Sequence, residues 1–285
     1  MFTIFRNSLS KSRGQILGWG LSLALLGAYL ISFFDSFSGM EEQVQEIMES
    51  FPRELMAFLG DFGEIFTPQG YLSVEFFSYL PLILGIYAIL VGSGLLASDE
   101  ESGVLDLLLS QPINRTAFFL GRLLGFITAT IAMLLIIWLS FAISLNWLNM
   151  DLSPIEMARP FLSLLGIVLL FGIAAILLSQ LLPSRRLTAM IAGLLLVASF
   201  FITSLANIDP DLEQIARFSP LNYYQNGEAI SGLNWEWLGG LFGFALLFAL
   251  LAGWRFNRRD IRVGGEGTWG GSISFSTLTS RKTSR

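Results

Sequence analysis

SDEESGVLDLLLSQPINR, residues Ser98–Arg115, lies between two long apolar runs. Ser98 and Glu101 have the spacing of a capping box, in which a serine hydroxyl accepts from the early helical N–H groups and the glutamate reaches back. Asp99, Glu100 and Glu101 place negative charge at the positive end of the helix dipole. Val104, Leu105, Leu108 and Leu109 share one face at helical spacing, Asp106 points elsewhere, and Pro112 stops the helix. The spacing predicts a short capped helix over 98–112 at a membrane surface, exposing five aliphatics in the six residues 104–109. An apolar run of that size calls for a partner surface or the bilayer.

The rest of the chain supplies the membrane. Of 285 residues, 53% are hydrophobic and only 14% charged, with a mean hydropathy of +0.65. A bilayer crossing takes about 20 apolar residues. The sequence offers six such runs: Gly14–Phe34, Phe76–Ala97, Ala117–Leu145, Phe161–Leu182, Leu187–Leu205 and Trp237–Phe256. Each is expected to be helical, because nothing else satisfies an isolated backbone in lipid. The expected class is an all-α membrane protein. Six spans put both ends of the chain on one side, and the basic residues choose the side. Fourteen of the 17 Lys and Arg, Arg6 through Arg285, fall in the segments on the side of the termini, against Arg53, Arg159 and Arg217 on the other. Both termini are therefore expected to be cytoplasmic, with 98–112 beside them.

The flanking segments follow. Phe2, Ile4, Phe5 and Leu9 lie among basic residues and suggest an N-terminal helix along the inner leaflet. In the long acidic loop 35–75, Val44, Ile47, Met48, Phe51, Leu55, Phe58 and Leu59 recur at helical spacing, with Pro52 as a break or new start. The stretch 206–236 carries Pro, Gly and aromatics, and is either a surface loop or a segment dipping into the outer leaflet. Gly239 and Gly243 suggest a close helix crossing in the last span. Residues 1–262 are expected to form the membrane domain, and the Gly-, Ser- and Thr-rich 263–285 a disordered cytoplasmic tail.

Several chemistries are excluded by composition. With no Cys and no His, the chain has no disulfide, no imidazole or thiolate metal site and no histidine base. A phosphate-cradling loop ending in Gly-Lys-Ser/Thr is missing, and so is a Gly-x-Ser-x-Gly elbow. No basic, aromatic-rich patch points to nucleic acid. Glu75, Asp99, Arg122, Arg185 and Arg255 sit at span edges, and no ionisable residue falls near a midplane. Carriers that are proton- or ion-coupled usually need such groups. A self-contained secondary transporter or channel is thus the weaker alternative, and a membrane enzyme weaker still.

The run Glu101, Gly103, Leu105, Leu107–Leu109, Ser110, Pro112 and Arg115 resembles the E-x-G-T-L-x-L-L-L-S-x-P-[VI]-[ST]-R signature of ABC type-2 transporter permeases, with Val104, Asn114 and, beyond the signature, Arg122 in place of a common Lys as departures. Ser219, Pro220, Tyr223 and Tyr224 resemble that family's S-P-x-x-Y-Y stretch before span six. The resemblance implies a six-span, non-catalytic permease subunit of an ABC exporter in a prokaryotic plasma or inner membrane. It implies a separate ABC ATPase subunit as partner, a second permease copy or homologous permease, and contact with membrane lipid. ATP and Mg would be bound by the partner, and no cofactor by this chain. Segment 98–112 would be the coupling helix, with Glu101, Gly103, Leu105, Leu108, Leu109, Pro112 and Arg115 as the ATPase-coupling residues. Leu105 and Leu109 would supply buried contact, and the acidic start and Arg115 charge complementarity.

Overall fold

A computed structural model of the chain describes residues 1–39, 66–103, 105, 114–147, 152–206 and 209–259. The expected helices of the 40–65 loop, Val104, residues 106–113 with Leu108, Leu109 and Pro112, and the 263–285 tail lie outside the described residues. All regular elements among the described residues are helical. Six are long and apolar enough to cross a membrane, and they define spans one to six: Arg13–Phe34, Pro68–Gly94, Arg115–Asn146, Pro154–Ser179, Arg185–Ala206 and Trp235–Arg258.

Two spans start well before their apolar runs. Hydropathy marks only the stretch that lipid requires, whereas a helix continues wherever its caps allow. Span four begins seven residues early at Pro154, because Ser153 and Glu156 form a complete capping box with proline in the first turn. Span two starts at Pro68, where the Thr67 hydroxyl accepts from the Gly70 N–H at 3.1 Å. Its first third is not a plain α-helix. Pro68–Leu72 is α-helical, Ser73–Phe77 widens into a π turn, and α-helix resumes over Leu80–Gly94.

Span four is the hub of the bundle. It is the most apolar of the six, and 72% of its apolar stretch is buried, against 11% for span five. Since lipid is as apolar as leucine, close approach of backbones decides which helix goes inside. Spans two and four meet at Gly92 and Gly172, where a methyl on Gly92 would stand 2.2 Å from the Gly172 carbonyl oxygen. Gly239 and Gly243, expected at a close crossing, have no described atom within 4 Å of a built Cβ and face outward instead. Their spacing is right for a crossing, but span six turns its other face, with Leu238, Leu241 and Ala245, into the protein.

The bundle has two chemically distinct ends. One gathers the N-terminal helix Phe2–Lys11, the short helix Ala97–Glu101, the start of spans three and five and the end of span six, and is rich in arginine. There the N-terminal helix docks across span three, with Ile4 against Gly121 and Ser8 against Gly125. At the opposite end, residues 219–230 form two 3-10 turns, Pro220–Tyr223 and Gly227–Ile230. Ser219, Leu221, Ala229 and Ile230 are buried, so this segment packs into the bundle and is not a free surface loop.

Candidate functional site

The inner wall of the arginine-rich end is made by one helical turn. After Gly94 the chain makes a brief turn at Leu95 and Leu96 and becomes helical again over Ala97–Glu101. The capping box expected of Ser98 and Glu101 does not form. Leu96 is the N-cap residue and no side chain caps this helix, so Ser98 already sits inside it. The Ser98 carbonyl accepts instead from the Ser102 hydroxyl at 2.8 Å. The turn ends at Gly103, whose φ of +70° is the left-handed conformation that glycine adopts without a Cβ penalty. The first part of the predicted 98–112 helix is therefore a separate turn, closed at Gly103.

Three consecutive carboxylates leave this turn in three directions. Asp99 pairs with Arg122 of span three, both side chains being largely shielded. Glu100 pairs with Arg259 at the end of span six, at only 8% and 6% side-chain exposure. Glu101 accepts from the backbone N–H of Arg185, the first residue of span five, at 2.9 Å. With the Ser184 hydroxyl accepting from the Leu187 N–H at 3.3 Å, it caps that span from outside. The carboxylate thus lies at the positive end of the span-five dipole. Arg115 closes the network by donating to the Arg259 carbonyl at 2.9 Å.

Apolar packing fixes the arginines. The Arg122 guanidinium lies 5.5 Å from the Phe118 ring centroid. Phe118 stacks on Phe256 of span six at 6.2 Å, and Phe119 approaches the same ring at 6.0 Å. Gly94 leaves room for Arg185 to lie across the end of span two, where a methyl would stand 2.8 Å from its Nε. Beside Glu101, Ser184, Arg185 and Arg186 opens a groove of about 550 Å³.

The pairs are not an economical way to gain stability. Desolvating two charges offsets most of their attraction, whereas removing one partner costs about 3–5 kcal/mol. Arg122 Nε and Arg259 Nε also remain buried without a hydrogen-bond partner. What the arrangement secures is position. A turn covalently joined to span two and tied to spans three, five and six cannot shift without displacing all four.

Of the residues expected to contact a partner, Glu101, Gly103, Leu105 and Arg115 are described, and three of them belong to this network or its end. Leu105 is fully buried in the chain's own core, not exposed on an outward apolar face. Leu108, Leu109 and Pro112 are outside the described residues. The partners Asp99–Arg122 and Glu100–Arg259 are the residues that sequence inspection missed. Asp99 and Arg122 were visible as span-edge charges, but pairs 23 and 159 positions apart leave no local signal. No cluster of three or more metal-ligating side chains occurs among the described residues.

A sequence model of the family described as ABC-2 family transporter protein matches residues 2–261. No curated protein matches the chain.

Proposed function

The chain belongs to the ABC-2 family of transporter proteins, and from that premise we propose that it is the membrane-spanning subunit of an ATP-driven exporter, worked by a separate ATPase through residues 98–112. It is an ABC transporter permease and a multi-pass membrane protein with six apolar helices. The observation that carries the mechanism is the three-way anchoring of Ala97–Glu101 to spans three, five and six. A lever must be joined rigidly to what it moves, and this turn is joined on every side.

In this proposal the arginine-rich end faces the cytoplasm, as the distribution of basic residues directs. Leu108, Leu109 and Pro112 contact the ATPase. Leu105 anchors the segment from within, Gly103 sets the turn between anchor and contact, and Glu101 and Arg115 tie the base. ATP and Mg belong to the partner, whose closure displaces segment 98–112. That displacement biases the bundle between two states in proportion to the difference in binding energy. A second permease copy completes the pathway, and the exposed faces of spans five and six are available to it and to lipid. The membrane is the plasma or inner membrane of a prokaryote.

A carrier energised without a partner is the competing possibility. Against it, the buried charged side chains among the described residues are Glu100, Arg122 and Arg259, all in the anchoring network and none at a midplane. The test is reconstitution. The permease should co-purify with a soluble ATPase, and export into or out of vesicles should require that ATPase and hydrolysable ATP. Equal transport by the permease alone contradicts the proposal.

A further inference from the structure

At the end of the bundle opposite the arginines, span two is interrupted twice within ten residues. The π turn Ser73–Phe77 is closed by the Ser78 N–H on the Ser73 carbonyl at 3.0 Å, and the Ser78 hydroxyl donates to the same carbonyl at 2.7 Å. Pro81 follows in the first turn of Leu80–Gly94. In an unbroken α-helix residue 81 would donate its N–H to the Phe77 carbonyl, and proline has none. The Tyr224 hydroxyl takes that place, donating to the Phe77 carbonyl at 3.1 Å from the 219–230 segment.

The same segment grips the π turn at two further points. Asn226 donates through Nδ2 to the Ser78 hydroxyl at 3.3 Å. Gly227 lies so close to Ser73 that an added Cβ would stand 2.5 Å from the serine Cβ. Asn226 is held at φ 36°, the one non-glycine residue with positive φ among those described, and its Oδ1 is buried without a partner. Strain and an unspent acceptor at one residue mark a contact that is inexpensive to release. Beneath the contact lies a plug of rings: Phe77 and Phe161 meet edge to face at 5.3 Å, and Phe141 lies 4.8 Å from Phe76 and 5.5 Å from Phe161.

We propose that span two is hinged between Ser73 and Pro81, and that Tyr224 and Asn226 are a latch that holds the hinge closed over the phenylalanine plug. In the latched state Tyr224 stands in for the N–H that Pro81 lacks. Release lets the outer third of span two swing and parts the rings. The latch itself is independent of how the protein is driven, whereas its place in transport rests on the exporter proposal above.

The test is a double-mutant cycle on the purified full-length protein in nanodiscs, read by thermal unfolding. Tyr224→Phe should lower Tm by about 2–4 °C, the effect of one lost hydrogen bond. In the Pro81→Ala background, where residue 81 can donate to Phe77, the same change should leave Tm nearly unmoved. An equal Tm loss in both backgrounds overturns the latch. In the ATPase-reconstituted complex, Pro81→Ala should slow export without weakening ATPase binding. A Ser78→Cys/Asn226→Cys pair, in a chain with no other cysteine, should stop export when oxidised and restore it on reduction. Undiminished export by the oxidised pair overturns the hinge. If wild-type complex exports nothing, the exporter proposal fails while the Tm cycle still decides the latch.

Discussion

At the residue scale the decisive feature is that neighbouring acids have separate employment. Asp99→Ala strands Arg122 in a shielded site and should destabilise the protein by about 3–5 kcal/mol. The exchanged pair Asp99→Arg/Arg122→Asp should recover part of that loss, as measured by unfolding in nanodiscs. Glu101 acts as an acceptor, not as a buried ion, so Glu101→Gln should be tolerated while Glu101→Ala loses about 1 kcal/mol of capping. Of the aliphatics in the 104–109 run, Leu105 is the one described, and it is fully buried. Leu105→Asp introduces a carboxylate into a fully buried position and should abolish folded protein on size exclusion. Leu109→Asp should leave a folded permease with weakened ATPase binding. Folded, ATPase-binding Leu105→Asp protein would contradict the anchoring role. None of this division was legible locally. The apolar pattern identifies a face, and only the packing of the spans buries Leu105.

At the scale of elements, six helices were readable because lipid demands about 20 apolar residues and tolerates no alternative backbone. Their ends were less so. The Ser153–Glu156 capping box of span four was present as Ser-x-x-Glu and could have moved that boundary outward. The π turn of span two has no comparable local signature, and its contacts are with residues 224–227, far away in sequence. Glycine spacing misled as well. Gly239 and Gly243 carry the familiar interval and face open space, whereas the tight contact is between isolated Gly92 and Gly172 on different spans. Gly92→Leu should therefore destabilise strongly, by about 1–3 kcal/mol or more for overpacking against a backbone that cannot yield. Gly239→Leu should not, and equal melting losses for the two variants would contradict the packing described.

At the scale of the whole molecule, the two ends are built for different work. The arginine-rich end is tied by buried ion pairs and backbone capping, which resist displacement within it. At the opposite end Arg159 of span four holds the Ile230 carbonyl at 2.7 Å, whereas the seam with span two is closed by neutral hydrogen bonds, a strained asparagine and ring contacts, each weaker and separable. Under the proposed mechanism, a push on residues 98–112 would be carried through a stiff base to a seam that can open. Membership of the ABC-2 family agrees with the six apolar helices. The stiffness is particular to the pairings of Asp99, Glu100 and Glu101 in the folded chain.

Because the chain has no cysteine, a single reporter can follow that transmission without knowledge of the cargo. Ser163, buried in span four with its hydroxyl accepting from the Gln225 N–H at 3.0 Å, sits directly beneath the seam. The most direct measurement is the rate at which Ser163→Cys reacts with a membrane-impermeant maleimide in the ATPase complex, with and without ATP. ATP should raise that rate in the otherwise native protein, and the rise should vanish in Asp99→Asn/Glu100→Gln although the ATPase stays bound and hydrolyses. An ATP response that survives loss of both carboxylates, or none in the native complex, would contradict the account.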